Sequence, residues 1–213
     1  MKYDVISADP PWAFKTYSDK GGREKHYDRM TLQDIKNIPV HKIAHDHTVL
    51  LQWTTWPHLF EAREVAESWG FTYYATLGFI WVKRTPDGSS IHHGMGYYTR
   101  ANTEPCLIFK RGRKFSLPRV GMDVHQVIET FPDWPALPGF EEIIDARVGR
   151  HSAKPEAYYQ GVERLWGDVS RIEVFARQCR PGWAVVGNEI GVGLDVNDAI
   201  NTIASMKRKE EVS

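Results

Sequence analysis

The chain has 213 residues, of which 42% are apolar, and its 27 basic side chains equal its 27 acidic ones. That length supports one domain with a substantial core, and the balanced charge excludes a global field for polyanions, so nucleic-acid contact requires a local basic patch. No leader or long apolar run is read, so a soluble cytoplasmic protein is expected, and Cys106 and Cys179 lie too far apart for a Cys-x-x-Cys zinc or disulfide framework.

Val5-Ile6-Ser7-Ala8 reads as a short buried strand that runs directly into Asp9-Pro10-Pro11-Trp12. Two prolines end the strand by fixing φ, and they withhold N–H groups, so the carbonyls around them are not committed to a ladder. The expectation is a rigid corner carrying a carboxylate, free carbonyls and an indole. It sits at the strand edge where open α/β sheets bind ligands. The plainer alternative is a Pro-Pro turn in which Trp12 merely packs. Residues 13–30 are polar, with Gly21-Gly22, as in a lid beside a site. Thr31-Leu32-Gln33-Asp34 opens a helix that Pro39 stops. His41, His45 and His47 include a helical i, i+4 pair but have no completing ligand, so a solvated segment is read there rather than a metal site.

Thr48–Trp53 is the next strand, and Pro57 suits a first helical position. Leu59, Ala62, Ala66 and Trp69 then form an apolar stripe that Gly70 ends. Residues 71–83 read as one or two strands, and Glu104–Phe109 as another. Lys110, Arg111, Arg113 and Lys114 cluster after it. Residues 115–140 are proline-rich and aperiodic, an inserted loop, and Glu142–Ala146 reads as a short strand. Pro155 starts a helix with Tyr158, Val162, Leu165 and Trp166 on its apolar face. Two buried strands follow, Ile172–Phe175 and Trp183–Val186, and a last helix begins near Asp195. This alternation predicts a single α/β domain over 1–213 with a mainly parallel sheet.

The chemistry-bearing residues fall at strand ends and one helix entry. Gly187-Asn188-Glu189 follows a strand with donors and acceptors suited to ribose hydroxyls, although the glycine order does not make a dinucleotide fingerprint. Asn188-Glu189 starting an ordinary turn is the competing reading. His151-Ser152-Ala153-Lys154-Pro155 leads into a helix, where a lysine and the free N–H groups suit an anion, or where Ser152 simply caps. Arg177 ends a strand, placed for a carboxylate. Ser-His-Asp and Walker patterns are missing, which disfavours acyl and phosphoryl transfer.

These pieces together resemble the MT-A70-type adenine methyltransferases, which use S-adenosylmethionine. The motifs that carry the resemblance are Asp9-Pro10-Pro11-Trp12, Tyr27 before Met30, Leu51-Gln52-Trp53, Trp81-Val82-Lys83 and Asn102–Leu107 with Glu104. His151-Ser152-x-Lys154-Pro155, Glu173–Arg177 and Gly182-Trp183 through Gly187-Asn188-Glu189 complete the set, in family order over most of residues 3–190. Cys179 and Glu189 depart from the eukaryotic enzyme, which has histidine and glutamine there.

The resemblance implies a Rossmann-like class I methyltransferase with helices on both faces and permuted motif order, the catalytic strand coming first. It implies that Asp9 and the Pro10 carbonyl, in the corner with Pro11 and Trp12, accept hydrogens from the exocyclic amine of adenine. Trp12 stacks on the base, and Tyr27, Glu104 and Ser152 border the substrate. Asp9, Lys154, Arg177, Asn188 and Glu189 hold the cofactor, and no metal takes part. For phosphate contacts the basic run Lys110, Arg111 and Arg113 is the choice, against a merely solvated loop. The expected partner is nucleic acid, DNA before RNA, with no membrane and room for a homodimer. RNA methylation, a cytosine amine target and a catalytically silent subunit are the alternatives.

Overall fold

In the computed structural model, residues 1–13, 30–85, 88–94, 96, 98–112, 117–129, 154–187 and 195–206 are described. They contain one seven-stranded sheet. Its strands are β1 (Tyr3–Ala8), β2 (Ala44–Trp53), β3 (Thr72–Val82), β4 (Thr103–Lys110), β5 (Val127–Glu129), β6 (Arg171–Val174) and β7 (Ala184–Val186). Their order is β5-β3-β4-β2-β1-β6-β7. β1 pairs in parallel with β2 and β6, β6 with β7, and β3 with β5. β4 alone runs against its neighbours β2 and β3, so the sheet is mainly parallel, as the alternation predicts.

Apolar residues on both faces of the strands dictate two cores. Ile6 and Ala8 join Leu50, Leu107, Phe109, Ile172 and Val174 on one face. Val5, Leu51, Trp53, Cys106 and Trp81 lie on the other. Helices α1 (Leu32–Asn37), α2 (Leu59–Ser68) and α4 (Val196–Met206) cover the first face through Ile35, Ala62, Val65, Val196 and Ile200. Helix α3 (Glu156–Trp166) covers the second with Tyr158, Tyr159, Val162 and Trp166. A sheet buried on both sides explains why its strands read as near-continuous apolar runs.

The local signals hold where they were strongest. Thr31 caps α1 by accepting from the Asp34 N–H at 3.1 Å, and α2 ends against Gly70 at φ +83°, a left-handed turn that favours glycine. Asp195 caps α4, its Oδ1 accepting from the Asn197 N–H at 2.7 Å. Two expectations change. Residues 127–129, inside the stretch read as an inserted loop, form edge strand β5 beside Ile80–Val82, with Ile128 buried. His45 and His47, read as part of a solvated segment, lie on strand β2, with rings stacked at 5.0 Å. The His47 Nε2 is 2.8 Å from Asp4 Oδ1. Both cysteines are free thiols.

Candidate active site

β1, β2 and β6 end at one edge of the sheet. Because β4 runs the other way, it begins at that edge: Trp53 pairs with Cys106, so Glu104 lies just beyond the end of β2. Pro105 is tolerated near the start of this interior strand because its missing N–H costs least there, and its carbonyl accepts from the Thr54 N–H at 3.0 Å. Asp9 follows β1, and Lys154 enters α3 on the same side. Ser7 Oγ, 2.8 Å from the Tyr158 hydroxyl, ties β1 to that helix.

Lys154 is the centre of the arrangement. Its Nζ is 3.0 Å from Asp9 Oδ2 and 2.9 Å from Glu104 Oε2, with its side chain only 5% exposed. The ammonium also lies 5.0 Å from the centroid of Trp53 and 5.9 Å from that of Trp81, near enough for cation–π attraction. Lys83 pairs with the other oxygen of Glu104. Burial alone pushes the Glu104 carboxyl up, but Lys154 and Lys83 outweigh it and hold the group at about 2. Burial likewise disfavours a charged Lys154, but Asp9 and Glu104 more than compensate and raise it above the ordinary lysine value. Lys154 and Glu104 are therefore both charged, and the Asp9 carboxylate lies against a cation that is itself held from a second side.

The Pro-Pro corner is partly satisfied internally. The Pro10 carbonyl, expected to be free, accepts from the Trp12 N–H at 2.9 Å, which leaves one lone pair. Trp12 is 8% exposed. Its Nε1 donates to the Trp53 carbonyl at 3.3 Å, and His58 stacks on its ring at 5.7 Å and 15°.

Beside Asp9 opens a pocket lined by Lys154, Tyr159, Glu173, Phe175, Arg177 and Gln178. Two cations and two carboxylates in one pocket are complementary to a zwitterionic amino-acid end, such as that of S-adenosylmethionine. The strands that build it meet closely. Gly187, directly after β7, packs so near Ala176 that a Cβ would lie 2.0 Å from the Ala176 carbonyl oxygen. The Ala176 N–H donates to the Val186 carbonyl at 2.9 Å. Phe175 takes φ +67°, a left-handed conformation unusual for an aromatic residue and typical of a functional turn.

The structure thus brings together Asp9, Pro10, Pro11, Trp12, Glu104, Lys154 and Arg177. Lys110 and Arg111 are not brought to this edge. Reversed β4 carries them to its far end, six residues from Glu104 and so about 20 Å away along the strand. There Lys110 pairs with Val49, and the Arg111 guanidinium donates to the His41 carbonyl at 2.9 Å. Both therefore stand about a strand's length from Asp9. Tyr27, Arg113, Ser152, Asn188 and Glu189 lie outside the described residues. Sequence reading assigned no role to Glu173 or Tyr159. A lone acid within the apolar run Ile172–Phe175 is the signal that finds the first. The second has no signal beyond its place one residue after Tyr158. Among the described residues, no group of three or more His, Cys, Asp or Glu is placed to hold a metal.

A mainly parallel sheet covered on both faces, with a charged pocket where its strands end, is the architecture of the class I methyltransferases. The MT-A70 family model matches residues 3–189, and the chain belongs to that family, whose methyltransferases take the methyl group from S-adenosylmethionine. Among its relatives is the type II methyltransferase M.MunI of Mycoplasma sp., 31% identical over 89% of this chain and 78% of the relative. Human N(6)-adenine-specific methyltransferase METTL4 is 28% identical over 88% of this chain and 37% of its own length. The catalytic subunit METTL3 of the human N(6)-adenosine-methyltransferase is 27% identical over 89% of this chain and 28% of its own. The chain therefore spans most of the mycoplasmal relative and about a third of the human ones. No described helix is long and apolar enough to cross a membrane.

Proposed function

We propose that this methyltransferase acts on the exocyclic amine of adenine in DNA, at the Asp9 corner. The observation that carries the proposal is the Asp9 carboxylate, fixed by buried Lys154 at the lip of a pocket suited to the methyl donor. S-adenosylmethionine supplies a methyl group already activated on a sulfonium, so the protein's task is positioning. The adenine amine is a poor nucleophile because its lone pair is delocalised into the ring. Asp9 and the remaining lone pair of the Pro10 carbonyl accept the amine hydrogens. They thereby favour the pyramidal nitrogen that develops in the transition state, a gain larger there than in the ground state.

Trp12, braced by His58 and by the Trp53 carbonyl, serves as a rigid wall of the base site. Glu104 borders the same site. Lys154 and Arg177 hold the carboxylate of the donor, and the resemblance assigns Asn188 and Glu189 to the cofactor and Ser152 and Tyr27 to the substrate. A base paired in a duplex must be flipped out to reach Asp9.

DNA is favoured because a relative matched over most of both chains is a type II methyltransferase, and the name of METTL4 supports adenine as the base. RNA is the second reading, supported by the adenosine methyltransferases among the relatives. Incubation with isotopically labelled S-adenosylmethionine and either DNA or RNA, followed by mass spectrometry of the nucleosides, separates them. Label in N6-methyldeoxyadenosine is the expected result. Label only in methyladenosine transfers the reading to RNA, and cofactor binding without transfer to either polymer indicates a silent subunit.

A further inference from the structure

Trp81-Val82-Lys83 is one of the motifs that carry the resemblance, and the chemistry above gives its lysine no task. Lys83 directly follows β3, two residues past Trp81, which pairs with Glu104 across the antiparallel ladder. Residues paired in such a ladder share a face, as do residues two apart on a strand. Lys83 is thereby brought diagonally beside Glu104. Its backbone is anchored on both sides, the N–H donating to the Asn102 carbonyl at 2.7 Å and the carbonyl accepting from the His92 N–H at 2.8 Å. The ammonium donates to Glu104 Oε1 and lies 5.0 Å from the centroid of the Trp81 ring.

Four charges of alternating sign therefore run in a row, from Lys83 through Glu104 and Lys154 to Asp9. Without Lys83 the row holds two carboxylates and one ammonium. Glu104 is only 9% exposed, and a buried charge left without full compensation is costly. It would either take up a proton, leaving Lys154 held from the Asp9 side alone, or draw Lys154 away from Asp9. Both outcomes disturb the carboxylate that accepts the amine hydrogens. A phosphate contact is the weaker reading of Lys83, because its ammonium is already committed to a buried carboxylate.

We infer that Lys83 is a positioning residue for methyl transfer: it holds one oxygen of Glu104 so that the other keeps Lys154 against Asp9. The inference rests on the proposed role of Asp9 and extends it to a residue that acts only through Glu104. The charge balance is consistent with this. Burial pushes the Glu104 carboxyl up, and Lys154 first and Lys83 next bring it down to about 2, so removal of Lys83 raises it. Cys106 and Tyr158, titratable neighbours on the same face, are kept neutral by burial. Glu173, raised to about 7 chiefly by burial, interacts with Asp9 and Lys154, and its titration is common to wild type and a Lys83 variant.

Methyl transfer at saturating S-adenosylmethionine by wild type, Lys83→Met and Lys83→Arg, followed between pH 5 and 8, tests this. The variants are read as ratios to wild type, which removes the titration they share. Lys83→Met should lower kcat at pH 8 by about tenfold to a hundredfold, with KM for the nucleic acid within about twofold of wild type. The loss should deepen toward pH 5, as Glu104 takes up its proton. Lys83→Arg keeps the charge and should recover most of kcat and the wild-type pH profile. A raised KM with kcat unchanged makes Lys83 a phosphate contact, and a fall in kcat of one depth at every pH makes it a structural brace. Either result, or wild-type kinetics in Lys83→Met, overturns the inference and leaves the proposed function standing. Wild-type transfer to RNA in place of DNA corrects the proposed function, and the same comparison on RNA then decides the inference. Transfer by wild type to neither polymer overturns both. Should Lys83→Met not fold, Lys83→Gln, which drops the charge but keeps a hydrogen-bond donor, replaces it with the same expectations.

Discussion

Asp9 and Glu104 grip one ammonium from two strands, and that grip makes the corner rigid. On this account Asp9→Asn keeps the shape of the corner but loses an anionic acceptor aimed at the amine. Its kcat should fall by about a hundredfold to a thousandfold, with a much smaller change in cofactor Kd, measured by single-turnover transfer and by titration. Two buried acids, Glu104 and Glu173, set a pH signature. Glu104 falls from an ordinary 4.5 to about 2 on folding, so its contribution to stability is complete above pH 4.5 and is lost as pH drops toward 2. Glu173 rises from 4.5 to about 7. It therefore costs nothing below pH 4.5 and costs stability as pH rises through 7, by about 3 kcal/mol at the limit. Denaturant unfolding should find Glu173→Gln more stable than wild type at pH 8 by up to that amount, with the advantage absent at pH 4.5. That Asp9, Lys154 and Arg177 share one pocket was legible from their motifs, because each stands at a strand end or helix entry. Glu173 passed unassigned because an acid inside an apolar run reads as one more strand residue until its neighbours are known.

The strands and helices differ in how much of them can be read locally. The α2 stripe and the Gly70 stop, the Thr31 cap and the Tyr158–Trp166 face all follow from short-range periodicity and capping, and all are present. The direction of β4 is not legible, because apolar alternation is the same read forwards or backwards. That reversal is what delivers Glu104 to the site and removes Lys110 and Arg111 from it. β5 is three residues long and escapes any periodicity test. At the meeting of β6 and β7, the contact between Gly187 and the Ala176 backbone leaves no room for a methyl group. Gly187→Ala should therefore destabilise the fold by more than about 2 kcal/mol and weaken cofactor binding with it. Urea unfolding and titration of the same preparation check both effects.

For the molecule as a whole, zero formal net charge gives no long-range attraction for a polyanion, the proposed DNA included. The far-edge position of Lys110 and Arg111 makes a specific forecast. Replacing both by alanine should leave DNA affinity at the methylation site within about twofold and the slope of affinity against salt unchanged, where loss of a phosphate contact would reduce that slope by about one unit per contact. Fold class and family were readable because ordered motifs span the chain, whereas the groove-facing surface depends on which loops the sheet gathers at one edge.

The central claim, that the Asp9 corner methylates adenine in DNA, is tested most directly in cells. The wild-type chain and Asp9→Asn are expressed in a host lacking adenine methylation, and its genomic DNA and RNA are digested to nucleosides for mass spectrometry. The account predicts N6-methyldeoxyadenosine in DNA from cells with the wild-type chain and none above background with Asp9→Asn. Methyladenine confined to RNA, or equal DNA methylation by the two chains, would contradict it.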